Sequence, residues 1–162
     1  MDTTNIETNN LRLVLQSPED TRAQIDEMTP SEKSELSADW LALVDSATSA
    51  DPWIHRFALV QQADNAVVGS CGFKGPPIPD GVVEIAYGVA LDYQGKGYAT
   101  EAAQALVSYA FSNSKVRVVR AHTLTEANAS TRVLTKCGFQ RIGEVIDPDD
   151  GLVWRWEKQK YT

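Results

Sequence analysis

The sequence predicts an α/β domain whose elements follow the order βααβββαβαββ around a mostly central sheet. Short runs of alternating or β-branched apolar residues, bounded by turn residues, recur along the chain, and helix-favouring segments fall between them. The third observation is the stretch from Val82 to Thr125, which reads as strand, glycine turn, helix and strand. Such a βαβ crossover makes its two strands parallel. At 162 residues the chain is sized for one domain, residues 1–162, with roughly 70% of its unfolded surface buried on folding.

Taken in order, residues 1–9 are polar and expected to be flexible, and Leu11, Leu13 and Leu15 mark a first strand that ends at Ser17-Pro18. Helical patterns run from Glu19 to Met28 and from Ser31 to Ala47. Pro30, Ser31, Ser34 and Glu35 mark the start of the second helix, and Leu36, Trp40, Leu41 and Val44 form its apolar face. Strands at His55 to Gln62 and Ala66 to Phe73 flank the short turn Ala63-Asp64-Asn65. Three prolines and an Asp-Gly pair make residues 75–81 a surface loop. The Val82 strand, the helix ending near Phe111 and the strand Arg117 to Thr125 follow. Ser130 to Lys136 is a short helix closed by Gly138, and Phe139 to Ile146 with Leu152 to Gln159 form a last pair of strands.

Hydrophobic and charged fractions of 43% and 23% are those of an ordinary globular chain. A net charge of -7 argues against a nucleic-acid footprint, which needs clustered Lys and Arg. Cys71 and Cys137 lack CxxC spacing and a nearby histidine, so they read as reduced, buried thiols. No window is apolar enough for a membrane span and the N-terminus MDTTNIETNN is polar, so the expected location is cytoplasmic, with no membrane partner. His55 and His122 read as structural, and no metal cluster is visible.

The chemistry concentrates in Gln94-Gly95-Lys96-Gly97. A strand delivered through a glycine turn into a helix N-terminus presents unpaired N–H groups and partial positive charge, which is a means of holding phosphate. The turn fits Q-x-x-G-x-A through Gln94, Gly97 and Ala99. Walker A spacing is missing, and the third glycine of a dinucleotide fingerprint is absent, so ATP or NAD is disfavoured as a ligand.

EIAYGVALDYQGKGYATEA followed by ASTRVLTKCGFQRIGE resembles the acetyl-CoA-binding core of the GNAT superfamily of N-acetyltransferases. The Leu-Arg-Leu strand, GYATEA and STRVLTKCGF are similar to the branch that holds the ribosomal-protein N-terminal acetyltransferases RimJ and RimL, and the resemblance covers nearly the whole chain. It implies a GNAT-type fold, a mixed sheet with a splayed strand pair and helices on both faces. Residues 82–139 would form the acetyl-CoA-binding core and the helical segment 19–47 one wall of the acceptor site.

By the same resemblance, the backbone of Gln94, Gly95, Lys96, Gly97, Tyr98 and Ala99 would hold the CoA pyrophosphate. Tyr87, Gly88 and Val89 would pair with the pantetheine arm, and Lys96 would add charge near the phosphates unless it is only a solvated lysine. Glu84 stands where related enzymes place a base. A carboxylate on a buried strand is costly without a partner, which could raise its pKa; it serves either the chemistry or a structural salt bridge. Ser130 matches a serine able to hydrogen-bond the CoA sulfur, and it is also a candidate cap of its helix, two roles that can hold together. Two departures stand out: Leu134 occupies the place of the tyrosine that serves many members as thiolate acid, and Ala127 that of an asparagine contacting CoA, with Asn128 displaced by one.

The resemblance therefore implies an acetyl-CoA-dependent N-acetyltransferase, monomeric or homodimeric, acting on a protein N-terminus or a small amine. A catalytically inactive acyl-CoA-binding or regulatory protein of the same fold is the alternative. Trp53, Tyr93, Trp154 and Trp156 could line an acceptor pocket or pack as core, and the turn Asp147, Asp149, Asp150 could attract a cationic acceptor or be merely solvated.

Overall fold

The computed structural model describes residues 5–34, 36–148 and 150–160. The expectations placed on residues 1–4, Glu35 and Asp149 lie outside the described residues. Eight strands, β1 (Asn5–Glu7), β2 (Leu11–Leu15), β3 (Phe57–Gln61), β4 (Val67–Phe73), β5 (Val82–Val89), β6 (Val118–Thr123), β7 (Gln140–Asp147) and β8 (Gly151–Gln159), form one sheet in the order β1-β2-β3-β4-β5-β6-β8-β7. Only β5 and β6 run parallel, as expected from the crossover between them. Five helices accompany the sheet: α1 (Pro18–Asp26), α2 (Pro30–Ser34), α3 (Ala38–Ser46), α4 (Tyr98–Phe111) and α5 (Ala129–Lys136).

Most of the expected elements are present; the differences have local causes. Asn5–Glu7 lie in the stretch expected to be flexible, yet they pair with Arg12–Val14 as a hairpin arm. Ser17-Pro18 ends a strand and also starts a helix. Ser17 Oγ accepts from Asp20 N at 3.0 Å, the Asp20 carboxylate reaches back to Ser17 N, and Pro18 takes the first turn, where its missing N–H costs nothing. The helix expected over Ser31 to Ala47 is two helices. Ser37, with extended φ and ψ, accepts from Trp40 N at 3.3 Å and starts α3 afresh.

Alternation assigns the two faces of the sheet. Leu11, Leu13, Phe57, Leu59, Cys71, Phe73, Val83 and Ile85 are buried against Ala102, Ala103, Leu106 and Ala110 of α4. Burial pushes the Cys71 thiol pKa far up, so it stays a packing group. Residues one step out of phase, Arg56, Gly72, Lys74, Glu84 and Ala86, face the other side, where the α3 end of the helical segment covers them and leaves a cleft. No described helix is long and apolar enough to cross a membrane.

Candidate active site

The splay that the resemblance implied is present. β5 and β6 pair only through Val82–Glu84 opposite Val118–Arg120. Beyond that point β5 stays with β4, from Ile85 opposite Phe73 to Val89 opposite Gly69, while β6 stays with β8 from Ala121 opposite Trp156. The two strands separate because each follows its antiparallel neighbour. The edge of β5 facing β6 therefore has no strand partner from Ile85 onward, and a cavity of about 210 Å³ opens there among Ala86, Tyr87, Ala121, His122 and Ser130. Glu84 sits where the strands part.

At the far end of β5 a 3-10 turn, Leu91–Tyr93, leads into the glycine turn. Gly95 and Gly97 both take left-handed φ, 80° and 83°, which side chains rarely adopt, and a Cβ at either would meet nothing within 4 Å. The space above the turn is open. Helix α4 starts at Tyr98 with its first backbone bond from Glu101 N to Gly97 O at 3.0 Å, so the amides of Tyr98, Ala99 and Thr100 have no intrahelical acceptor. Gln94 Nε2 ties the turn back to Val89 O at 3.0 Å, and Lys96 Nζ lies over the Tyr93 ring, 5.6 Å from its centroid. The Tyr98 hydroxyl turns away to Gln61 Oε1 at 2.7 Å, leaving its backbone N–H at the turn. Gly88 likewise faces open space along β5. These features fit the elongated, phosphate-headed shape of CoA.

Glu84 is partnered on one oxygen. Its Oε2 accepts from His122 Nδ1 at 3.0 Å and pairs with Lys74 Nζ at 3.1 Å. Arg155 Nε, always a donor, gives its proton to His122 Nε2 at 3.1 Å, which fixes the imidazole proton on Nδ1. A row Lys74–Glu84–His122–Arg155 thus runs from just past the end of β4 across β5, β6 and β8. Burial works to raise the Glu84 pKa, but the His122 hydrogen bond and the Lys74 charge outweigh it and hold the carboxyl below its usual range. The expected upward shift is corrected: the salt bridge is present and the carboxylate is ionised. Oε1 makes no hydrogen bond among the described residues, and Glu84 lines both the splay cavity and the larger cleft beside it.

On the opposite wall the Tyr87 hydroxyl is 3.0 Å from Ser130 Oγ. Burial pushes the Tyr87 pKa up to about 12, so the phenol stays protonated. The expectation that Ser130 caps α5 is overturned. The cap is Asn128, whose side chain accepts from Thr131 N at 3.0 Å while Thr131 Oγ1 accepts from Asn128 N at 3.0 Å. Asn128-x-x-Thr131 is a capping box with threonine in place of Glu or Gln, the signal that would have located it. Leu134 is fully buried in the core.

A second cleft, about 460 Å³, lies on the cleft face between the sheet and the start of α3. Trp40, Arg56 and Lys74 line it, as do Asp39, Asp147 and Asp150. None of these first three had been singled out as site residues. The aromatics that had been do other work. Trp53 packs on Phe73 and Tyr109, with centroids 4.6 and 5.6 Å away; Trp156 donates from Nε1 to Thr123 Oγ1 at 3.0 Å; and Trp154 carries the Arg141 guanidinium on its face at 4.2 Å. Neither Tyr93 nor any of these three tryptophans lines the cleft. Asp147 and Asp150 do reach it, and Asp150 lies 3.8 Å from Lys74 Nζ.

Comparison with known proteins agrees with this geometry. A family described as acetyltransferase (GNAT) domain matches residues 6–140. The uncharacterized N-acetyltransferase p20 of Bacillus licheniformis is 28% identical over 120 residues, covering 74% of this chain and 67% of that protein. Other curated relatives, 30–34% identical, are matched over about half their length. Among solved structures, a GNAT-family acetyltransferase from Bacillus anthracis superposes with a TM-score of 0.71 at 22% identity, covering 98% of this chain and 100% of the other. RimL, a ribosomal L7/L12 alpha-N-protein acetyltransferase solved in complex with coenzyme A, gives 0.71 at 15% identity, covering 96% and 98%.

Proposed function

The chain belongs to the GNAT acetyltransferase family, and from that premise we propose that it moves an acetyl group from acetyl-CoA to a primary amine by direct attack in a ternary complex. The observation that carries this is the succession along one strand of an ionised carboxylate where the strands part, an unpaired edge and, past Leu91–Tyr93, an open glycine turn at a helix start. Amides from Gln94 to Ala99 hold the pyrophosphate, and the β5 edge at Tyr87, Gly88 and Val89 holds the pantetheine arm. Bound acetyl-CoA supplies the thioester carbonyl to be attacked and the thiolate that leaves.

Glu84 receives the acceptor. Its free Oε1 accepts a hydrogen bond from the incoming ammonium, holds it beside the splay, and passes its proton to cleft water so that the neutral nitrogen attacks. Lys74 and His122 fix the carboxylate in place and keep it charged. On the leaving side, the Tyr87 hydroxyl donates to Ser130 Oγ, which frees the serine proton to point at the departing sulfur. That pair takes the role vacated at Leu134. Among the described residues nothing accepts from the Asn128 side-chain N–H₂, which serves the same end of the cofactor. The acceptor is a protein N-terminus or a small amine, as in the RimJ/RimL-like branch.

The buried Leu134 favours one other reading, a protein that binds acyl-CoA without turning it over. Calorimetry with acetyl-CoA followed by a thiol-release assay over a panel of amines separates the two. Binding with turnover on any amine supports transfer; binding without turnover supports the second reading; absence of CoA binding sinks both.

A further inference from the structure

The larger cleft is unevenly charged. Among the described residues four acids line it, Asp39, Glu84, Asp147 and Asp150, against two bases, Arg56 and Lys74. Lys74 is committed to Glu84 at 3.1 Å and Asp150 at 3.8 Å. Arg56 is different: among the described residues no carboxylate pairs with it, and its recorded side-chain interaction is with the Trp40 ring, 5.3 Å from Cζ to centroid. Trp40 is itself locked, donating from Nε1 to Ile54 O at 2.7 Å. A guanidinium stacked on a fixed indole is a rigid fork with its donors held ready. Burial works against the Arg56 charge and lowers its pKa, a cost that an anion in the cleft would offset.

The backbone makes room for such an anion. Gly72 stands abreast of Arg56, where a Cβ would meet Arg56 Cα at 3.3 Å, and Ala86 stands abreast of Gly72 on the next strand. Two strand steps of about 4.8 Å put some 10 Å between the backbones of Arg56 and Ala86. Arg56, at the approach to β3, and Glu84, on β5, line the same cleft with β4 between them.

We infer that Arg56 is the anion anchor of the acceptor cleft and that the acceptor is a primary amine carrying a carboxylate, of the amino-acid or short-peptide kind. The amine end lies against Glu84 and the carboxylate end takes the Arg56 fork. A single negative charge suits one guanidinium among four acids; a phosphate dianion suits it less. This rests on the acetyl-transfer reading, and the test keeps the two separable.

Thiol release is measured with β-alanine against β-alaninamide, glycylglycine against its amide, phosphoethanolamine against ethanolamine, and spermidine. The carboxylate forms are expected to exceed their amides in kcat/KM by about tenfold or more, the value of a charge-assisted pair. Arg56→Gln should bring that ratio close to one with acetyl-CoA affinity intact, and Arg56→Lys should keep part of it. Because the readout is a ratio within one variant, a loss of folded protein does not imitate it. Equal use of acid and amide, a preference for spermidine or phosphoethanolamine, or an Arg56→Gln variant that keeps the discrimination overturns the inference. If no amine turns over, the transfer reading falls, and calorimetry of β-alanine and glycylglycine on the CoA-loaded chain decides Arg56 alone: binding lost in Arg56→Gln upholds it, and absence of binding overturns it.

Discussion

Replacing Glu84 by Gln tests the centre of the proposed mechanism. The change is nearly isosteric, and His122 Nδ1 can still donate to the amide oxygen across the 3.0 Å contact. What disappears is the charge that receives the ammonium and the acceptor that passes on its proton. A positioned proton acceptor contributes about 10²–10⁴ in rate. Glu84 is a weak base, so the low end applies, about 100-fold in kcat, or roughly 2.7 kcal/mol of barrier. Lys74 also loses its nearer charged partner and keeps Asp150 at 3.8 Å, with the Asp147 charge beyond it. With the Glu84 side chain 22% exposed, the stability cost falls between that of a surface pair and that of a buried one, about 1–2 kcal/mol. For this chain length that lowers Tm by roughly 3–6 °C. Initial rates of thiol release from pH 6 to 9, with calorimetry of acetyl-CoA, read both effects, and acetyl-CoA affinity should not move. A variant that keeps the wild-type rate within about twofold across that range would refute a role for Glu84 in the chemistry.

Ser130→Ala and Tyr87→Phe should each lower kcat by about tenfold, and the double variant should do little worse than either alone, because the two hydroxyls act as one unit; additive losses in the double variant would break the pair. Lys74→Met removes a charge that holds the Glu84 pKa down, so the acid limb of the kcat/KM profile should move to higher pH; an unmoved limb would mean that Lys74 does not tune Glu84. The folded-state pKa of Glu84 is depressed, so its contribution to stability is present above the ordinary carboxylate value of 4.5 and is lost as pH falls through the depressed value. The Tm gap between wild type and Glu84→Gln should accordingly be full at neutral pH and close in acid. Asn128→Ala should cost about 1 kcal/mol through loss of the α5 cap, read by urea unfolding, and a weakened acetyl-CoA affinity in the folded variant would mark its second role.

The glycine turn proposed for the donor was legible because it is local and largely backbone. Gly95, Gly97 and the start of α4 are consecutive, and two glycines ahead of a small, apolar helix imply the open, left-handed turn that the structure contains. The residues expected there, Gln94 to Ala99, were expected to act through their backbone rather than their side chains. In the cleft proposed for the acceptor, Glu84 was legible but Trp40, Arg56 and Lys74 were not, because they come from α3, the approach to β3 and the residue after β4. Trp40 looked like one more apolar position on a helix, and only the break at Ser37 turns it toward the sheet. The partners of Glu84 were hidden by register. Once Val82 pairs with Val118 in parallel, Glu84 stands opposite Arg120, and His122 follows two residues later on the same face.

That register also decides what kind of group Glu84 is. A lone carboxylate on a buried strand would be pushed toward neutrality and would make a respectable base in its own right. With His122 and Lys74 on Oε2 the opposite holds, and the residue stays an anion down to a pH below the usual carboxylate range. Such an anion is well suited to capturing an ammonium, since both charges are present together over the neutral range. It is poorly suited to keeping the proton, which must leave through water in the open cleft. The proton taken from the acceptor is therefore governed by the amine's own pKa, lowered by whatever desolvation the cleft imposes. At the other end Arg56 sets which amines reach that point, so selection and deprotonation are divided between two charges of opposite sign held on the same face of the sheet.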